Sequence, residues 1–297
     1  MVTMTTDIVP IYILSHRRPD NVLTIDDALR HSTWTAPVYI VVDDEDPTID
    51  EYRANYGTDR VVVFSKQDTL ARMDIGDNFG LSGSCVPRAA IWDIARNHGH
   101  RYFLMLDDDY RYFDWRFDSD GRPVYGRQEM VRNLDAVVAA LVDWYKKFPP
   151  QIVTVAIMQL GEMIGGFANS IVDAIKVKRK AMNFFICDTE REFEFPGRLN
   201  EDVNAYTEIQ RRGYPMMTIN NVALWPTPTQ RNDGGLTDDY LDQGTYTKSM
   251  YSVIRCPSAV KVSMLDDRGV NPRIHHKVNY KHVAPEIIPE RYRKAQP

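Results

Sequence analysis

Apolar residues in the first hundred positions come in short runs, separated by stretches with helical signals. The runs at residues 7–15, 37–42, 60–65 and 102–106 are rich in β-branched or aromatic residues, which predicts buried strands. Residues 20–32, 51–56 and 86–97 lie between them and predict helices, and Pro87 suits the first turn of the last one. Strands that alternate with helices through short connections predict an α/β fold of Rossmann type, with a mixed, mostly parallel sheet flanked by helices.

The second half of the chain is less regular. Residues 128–148 predict a helix that ends at Pro149 and Pro150, and residues 201–212 predict another. Apolar runs at residues 152–159, 181–187 and 215–224 predict strands. No repeat, low-complexity tract or linker interrupts the sequence, so a single domain over residues 1–297 is expected.

The fourth predicted strand ends abruptly in three carboxylates, Asp107, Asp108 and Asp109. In open α/β sheets, ligands bind just beyond the carboxyl ends of the strands. Burying three carboxylates there costs free energy unless a cation offsets their repulsion, and Mg²⁺ and Mn²⁺ favour one or two carboxylates plus phosphate oxygens. A solvated acidic loop is the commoner fate of three consecutive aspartates, but the buried strand before them favours a metal site that carries a diphosphate.

Polar residues also follow the other predicted strands. Ser15 and Arg17 follow the first strand, Asp43 the second and Lys66 the third, while Arg88 lies near the start of a helix. Carboxylates can bond a base or ribose, and basic residues or a helix N-terminus can bind phosphate. Together with Asp107 and Asp108, these residues are candidates for binding a nucleotide-sugar, although each basic residue alone is more often a surface residue.

Bulk composition excludes some classes of protein. The chain of 297 residues is 43% hydrophobic and 26% charged, and it has no apolar stretch that could span a bilayer, so no membrane association is expected. The N-terminus lacks a signal-peptide pattern, and Cys85, Cys187 and Cys256 lack metal-binding spacing, which is typical of reduced thiols in the cytoplasm. The net charge of −5 argues weakly against a polyanionic partner, although basic residues at 176–180 and 277–281 could form a local basic face.

Several segments resemble the TET-associated glycosyltransferases, which are found in phages beside enzymes that oxidise 5-methylpyrimidines in DNA. They run through almost the whole chain and read IYILSHRRPDNV, YIVVDDEDP, VPRAAIWDIA, YFLMLDDDY, KRKAMNFFIC, GRLNEDVNAYT, GTYTKSMYSV and RIHHKVNY. A first strand, a second strand ending in Asp and a later strand ending in Asp-x-Asp form the layout of glycosyltransferases with the GT-A fold. The resemblance therefore implies a GT-A-like sheet.

The resemblance also implies an activity. The enzyme would use Mn²⁺ or Mg²⁺ to move a sugar from a UDP-sugar to a 5-hydroxymethylpyrimidine in DNA, with 5-hydroxymethylcytosine as the first candidate. Residues 1–125 would bind the nucleotide-sugar, and residues 126–297 would form the acceptor half and a C-terminal extension. A phage-encoded enzyme would work in the cytoplasm of the infected host. A protein, glycan or small-molecule hydroxyl as acceptor, or a degenerate nucleotide- or DNA-binding module, stays open, as do the donor sugar and the oligomeric state.

The same resemblance implies roles for single residues. Asp107 and Asp109 would ligate the metal, and His275 or His276 would complete its shell. Asp202, with Glu201 second, would be the general base of an inverting enzyme; a retaining enzyme would not need one. The candidates for contact with DNA or with the transferred sugar are Gln159, Lys178, Arg179, Lys180, Gln230, Lys248 and Lys277. Phe184, Phe185 and Tyr251 are candidates for stacking on a base, although the buried core is the commoner place for such residues.

Two other enzyme classes share parts of this pattern. Phosphoryl transferases of the haloacid-dehalogenase kind need a small residue two positions after the second Asp, where this chain has Arg111, and carry the motif near the first strand. Sugar nucleotidyltransferases carry a glycine-rich loop after the first strand, which the residues from Ser15 to Pro19 lack. Both are disfavoured.

Overall fold

Four parallel strands form the first half of the main sheet. The computed structural model describes residues 8–73, 83–120, 129–159, 175–227, 245–267 and 270–283. The strands are β1 (Ile11–Leu14), β2 (Val38–Asp43), β3 (Val61–Phe64) and β4 (Tyr102–Asp107). They lie in the order β3-β2-β1-β4, and Leu14 of β1 is in register with Asp107 of β4. The prediction of these strands and of a mostly parallel α/β sheet is confirmed, and their carboxyl ends do meet at one edge.

The helices of this half are α1 (Ile49–Tyr56), α2 (Lys66–Leu70) and α3 (Cys85–Asn97). The helix expected over residues 20–32 is wrong in extent, because only a π-helical turn forms there, at Thr24–Leu29. The backbone N–H of Thr24 donates to the carbonyl of Asp108, and its hydroxyl donates to the carbonyl of Asp107. The start of the segment is therefore fixed to the acidic loop and cannot continue a helix from Asp20.

The second half of the chain completes a mixed sheet. Its strands are β5 (Tyr110–Trp115), β6 (Thr154–Gln159), β7 (Ile175–Lys176), β8 (Phe184–Asp188) and β9 (Met216–Pro226). Beyond β4 the order is β8-β6-β9-β5, and β7 pairs with β9. Because β8 runs antiparallel to both β4 and β6, the carboxyl end of β6 lies at the same edge as the acidic loop. The sequence did not predict β5, since its residues lack a continuous apolar run.

The remaining helices are α4 (Leu134–Tyr145), α5 (Glu201–Arg211) and α6 (Thr245–Arg255). After α6 come the hairpin strands β10 (Val260–Asp267) and β11 (Val270–Val278) and a 3-10 turn at Tyr280–His282. None of the elements after β9 was predicted. Within the described parts of the chain, no helix is both long and apolar enough to span a membrane.

The strands alternate their side chains between two apolar cores. Tyr12 and Met105 face the core under α3, whereas Ile13 and Leu104 face the core under α4, which contains Val138. A strand buried on both faces needs apolar residues at every position, which accounts for the unbroken run before Asp107. The division into a nucleotide-sugar half and an acceptor half stays a prediction.

Candidate active site

Two threonines fix the backbone of the acidic loop that follows β4. The hydroxyl of Thr24 donates to the carbonyl of Asp107 at 2.6 Å. From the other side, the backbone N–H of Thr227 donates to the carbonyl of Asp109 at 2.9 Å. Strand β5 then starts at Tyr110, whose N–H donates to the Thr24 hydroxyl at 3.1 Å. The loop is therefore held from two separate segments of the chain.

Asp108 joins the loop after β4 to the loop after β1. Its Oδ2 accepts from the Ser15 hydroxyl at 2.6 Å, and its Oδ1 lies 3.0 Å from Nη1 of Arg18. The Ser15 hydroxyl also contacts the hydroxyl of Tyr52 at 2.7 Å. Burial raises the pKa of Asp108, although Arg18 and Ser15 oppose the rise. Both carboxylate oxygens are thus occupied within the protein, and a direct role of Ser15 or Asp108 in donor binding stays a prediction.

Arg88 bridges Asp107 and the first residue of α5. Its Nη2 lies 2.7 Å from Oδ1 of Asp107, and its Nε lies 3.3 Å from Oε1 of Glu201. The guanidinium is 1% exposed and lies over the rings of Phe185 and Phe195. Burial raises the pKa of Asp107 to about 6, with Arg88 opposing the rise and Glu201 adding to it. Arg88 is therefore an internal ion-pair partner in this structure, and a phosphate contact through it stays a prediction.

Asp109 is the least compensated of the three carboxylates. Within the described residues its side chain makes no ion pair, and it is stabilised only by its own backbone N–H and by the charge of Arg18. Burial, then the charges of Asp107 and Asp108, raise its pKa to about 8. A divalent cation at this position would relieve the repulsion, and its oxygen donors suit Mg²⁺ or Mn²⁺. The residues therefore fit a metal held by Asp109 and Asp107.

A complete protein shell for a metal is not present in the described ranges. Among those residues, no three His, Cys, Asp or Glu side chains are arranged to hold a metal ion. Mg²⁺ and Mn²⁺ sites in nucleotide enzymes commonly use one or two carboxylates and leave other positions to phosphate oxygens and water. The arrangement fits a metal that binds together with a diphosphate.

The two carboxylates at the start of α5 have different surroundings. Oε1 of Glu201 accepts from the Ser84 hydroxyl as well as from Arg88. Oδ1 of Asp202 accepts from the N–H of Val203 at 2.7 Å, and within the described residues its Oδ2 has no hydrogen bond. Burial raises the pKa of Asp202, and Arg88 and Lys248 oppose the rise. Asp202 is thus the better placed of the two to take a proton.

Residues after β1, β2 and β3 form a second polar cluster. Nδ1 of His16 lies 3.0 Å from Oδ2 of Asp43, and Nζ of Lys66 lies 2.9 Å from Oε2 of Glu45. Burial alone would raise the pKa of Asp43, but His16 and Lys66 outweigh it and lower that pKa. Arg17 has an exposed side chain and a left-handed backbone with φ of 54°. Asp43 and Lys66 therefore share one edge of the sheet, as predicted.

A basic cluster lies beside α5. Nδ1 of His276 lies 3.1 Å from Nδ2 of Asn200, the residue before Glu201, and the rings of His275 and His276 are 4.2 Å apart. Burial, His275 and the charges of Lys248 and Lys180 lower the pKa of His276 to about 3. The structure thus brings His276, Lys180 and Lys248 together, while a metal contact through either histidine stays a prediction.

The other acceptor candidates have mixed outcomes. Lys178 is exposed and Arg179 half-buried, and Gln159 lies at the end of β6 on the edge that carries the acidic loop. Gln230 lies outside the described residues. The prediction that Phe184 and Phe185 stack on a base is wrong, because both rings are 0% exposed in the apolar core.

Sequence reasoning missed four residues that build the site, namely Arg18, Thr24, Asn200 and Thr227. Arg18 stood beside Arg17 with no sign of which arginine points inward. Asn200 precedes two acids at a helix start, which is an N-cap signal, but it adopts a left-handed conformation and directs its amide to α6. Thr24 and Thr227 act through long-range contacts that no local pattern shows.

Comparisons with known proteins give a family match and several similar solved structures. The model of the family described as TET-Associated Glycosyltransferase matches residues 9–235. The chain is similar to glucosyl-3-phosphoglycerate synthase from Mycobacterium tuberculosis in complex with Mn²⁺, UDP and glucosyl-3-phosphoglycerate, with 11% identity, 92% of this chain and 88% of that chain covered, and a TM-score of 0.46. The same enzyme with Mn²⁺, UDP-glucose and phosphoglyceric acid gives 13% identity, 90% and 86% coverage and a TM-score of 0.46. No curated protein sequence matches the chain.

Proposed function

The chain belongs to the TET-associated glycosyltransferase family and is a glycosyltransferase, and from that premise we propose which reaction its site performs. The reaction is metal-dependent transfer of a sugar from a UDP-sugar to the hydroxyl of a 5-hydroxymethylpyrimidine in DNA, with 5-hydroxymethylcytosine as the acceptor to test first. The observation that carries the proposal is Asp109, which has no ion pair within the described residues and lies beside Asp107, at the sheet edge that also receives Asp202.

Asp107 and Asp109 would hold the metal and so position the diphosphate of the donor. The bound ion would supply positive charge that stabilises the departing diphosphate. Arg88 pairs with Asp107 and Glu201 and Arg18 with Asp108, and although the charge of Arg18 lowers the pKa of Asp109, burial and the charges of Asp107 and Asp108 outweigh it. The site therefore keeps one carboxylate available for a cation that arrives with the nucleotide.

Asp202 would act as the general base. The hydroxymethyl O–H gives its proton to the carboxylate while the oxygen attacks the anomeric carbon of the sugar. The bond from that carbon to the diphosphate breaks, and UDP leaves with the electron pair. A raised pKa brings a carboxylate closer to the operating pH and makes it a stronger base. Glu201 is bound by Ser84 and Arg88, which supports a positioning role.

The basic cluster supports a polyanionic acceptor despite the net charge of −5. Lys180 and Lys248 act electrostatically on His276, and Lys248 also acts on the proposed base, Asp202. Phosphate contacts there would position DNA without reading its sequence. Extruding the target nucleotide from a duplex costs a few kcal/mol, which such contacts can offset.

Mass spectrometry of oligonucleotides tests the proposal. The protein is incubated with a panel of UDP-sugars, Mn²⁺ and matched oligonucleotides that contain 5-hydroxymethylcytosine, 5-hydroxymethyluracil or unmodified bases. One sugar added only to a hydroxymethylated strand, and only with metal, is the expected result. Metal-dependent transfer to a protein, glycan or small-molecule hydroxyl, but to none of the DNAs, would contradict the acceptor. No metal-dependent loss of UDP from any donor would indicate a binding module.

A further inference from the structure

The proton positions in the polar network behind α5 follow from two backbone carbonyls. Nδ2 of Asn204 donates to the carbonyls of Pro196 at 2.8 Å and Leu199 at 3.0 Å. Carbonyls only accept, so this nitrogen assignment is fixed and Oδ1 of Asn204 must be an acceptor. The hydroxyl of Ser252 donates to that oxygen at 2.9 Å. Ser252 therefore has its lone pairs left for other donors.

The same reasoning extends to His276. Nδ2 of Asn200 lies 2.8 Å from the carbonyl of Lys248, 3.1 Å from the Ser252 hydroxyl and 3.1 Å from Nδ1 of His276. The Lys248 carbonyl fixes this nitrogen as the amide donor, and its two N–H groups are shared among that carbonyl, the Ser252 hydroxyl and Nδ1 of the histidine, to which it offers no acceptor. Two donors cannot face each other, and Nδ1 therefore carries no proton. A neutral imidazole must then carry its proton on Nε2.

This tautomer conflicts with metal ligation. A histidine that binds a metal through one nitrogen almost always donates the N–H of the other to an acceptor, which orients the ring. Here Nδ1 accepts a hydrogen bond, and Nε2 has a proton instead of a lone pair. Within the described residues Nε2 makes no hydrogen bond, so this N–H is available to a ligand.

We propose that His276 binds a phosphate oxygen of a substrate through its Nε2–H and does not ligate the metal. Lys180 and Lys248 lie near the ring and favour an anionic oxygen at this position. This inference rests on the proposed transferase function. The phosphate can belong to the diphosphate of the donor or to the backbone of the acceptor, and the two sources give different kinetic results.

Two measurements on the protein without acceptor test the tautomer and the metal. Nitrogen-15 NMR of the His276 ring in the metal-free protein should show a proton on Nε2; a proton on Nδ1 would overturn the inference. Mn²⁺ binding in the presence of UDP, measured by electron paramagnetic resonance, should change less than about threefold in His276→Gln, whereas loss of a true ligand weakens metal binding by about tenfold or more. The matched control, Asp109→Asn, should show that larger loss. A tenfold loss of Mn²⁺ affinity in His276→Gln would contradict the proposal. An unchanged Mn²⁺ affinity in Asp109→Asn would contradict the metal site at Asp109, and the result for His276 could still be interpreted.

The variants His276→Ala and His276→Gln identify the source of the phosphate. Removing a donor to a charged oxygen should weaken the interaction by about tenfold, and glutamine, which keeps an N–H near the Nε2 position, should restore part of it. If His276 binds the diphosphate of the sugar donor, UDP affinity should fall in His276→Ala. If it binds a backbone phosphate of the DNA acceptor, UDP affinity should stay unchanged and the KM for the oligonucleotide should rise. If neither quantity changes in a variant with a wild-type circular dichroism spectrum, His276 does not bind substrate.

Discussion

Replacing Asp109 with asparagine should stabilise the metal-free protein at neutral pH. Asp107 and Asp108 repel the charge of Asp109, which has no ion pair within the described residues, and Arg18 does not outweigh burial and this repulsion, so the negative charge is unfavourable in the folded state. Asparagine has nearly the same shape and cannot ionise. The substitution should therefore remove an electrostatic cost while it removes the proposed metal ligand, which is the trade-off between stability and function expected of an active site.

The size of the effect follows from proton linkage. The pKa of Asp109 is raised from 3.8 to about 8, so between those values the folded state binds more protons than the unfolded state. Stability from this group is therefore present at low pH and is lost as the pH rises towards 8. At about 1.36 kcal/mol per pKa unit, the cost at pH 7 is about 4 kcal/mol as an upper bound, and relaxation of the loop lowers it to about 2 kcal/mol. At pH 5 the cost should shrink to about a third of its value at pH 7.

Urea unfolding in the presence of a chelator measures this difference. The free energy of unfolding of Asp109→Asn should exceed that of the wild type at pH 7, and the gain should be smaller at pH 5. Asp59→Asn, at an exposed position, is the matched control and should change stability by less than about 0.5 kcal/mol at either pH. A destabilised Asp109→Asn, or a gain that does not depend on pH, would refute the claim that this carboxylate is uncompensated.

Three further predictions concern the base, the buried bridge and the acceptor. Asp202→Asn should lower kcat by about 10²–10⁴-fold while UDP affinity, measured by calorimetry, stays near wild type; full turnover would contradict its role as base. Arg88→Met should destabilise the protein by about 3–5 kcal/mol in urea unfolding, because Asp107 and Glu201 lose their buried partner; a neutral effect would show that the bridge is weak. Transfer to 5-hydroxymethylcytosine DNA should weaken as salt rises, and Lys180→Gln should reduce the slope of log KM against log salt by about one; a KM independent of salt would exclude phosphate contacts.

The sequence predicted those elements whose burial produces a recognisable pattern of apolar residues. Strand β4 is apolar at every position because both faces are covered, and α3 follows a start signal at Pro87, so both were found within one or two residues. Strand β5 was missed because its six residues form no apolar run, since they include the exposed Arg111 and the buried carboxylate of Asp114. Its place at the sheet edge is decided by pairing with β9, about a hundred residues later.

In the site, too, some features could be predicted from the sequence and others could not. Aspartates at strand ends could be predicted, because parallel strands bring their carboxyl ends to one edge. Which carboxylate stays without an ion pair could not, since this depends on Arg18 reaching Asp108 and on Arg88 reaching Asp107. These contacts join residues 90 and 19 positions apart, and adjacent arginines or aspartates look alike in the sequence.

The binding of UDP with and without Mn²⁺, in the wild type and in Asp109→Asn, tests the central claim most directly. If Asp107 and Asp109 hold a cation that binds the diphosphate, Mn²⁺ should raise the UDP affinity of the wild type by about tenfold or more in calorimetry. In Asp109→Asn, Mn²⁺ should change the UDP affinity little. An equal gain in both proteins, or no gain in the wild type, would contradict a metal site at the end of β4.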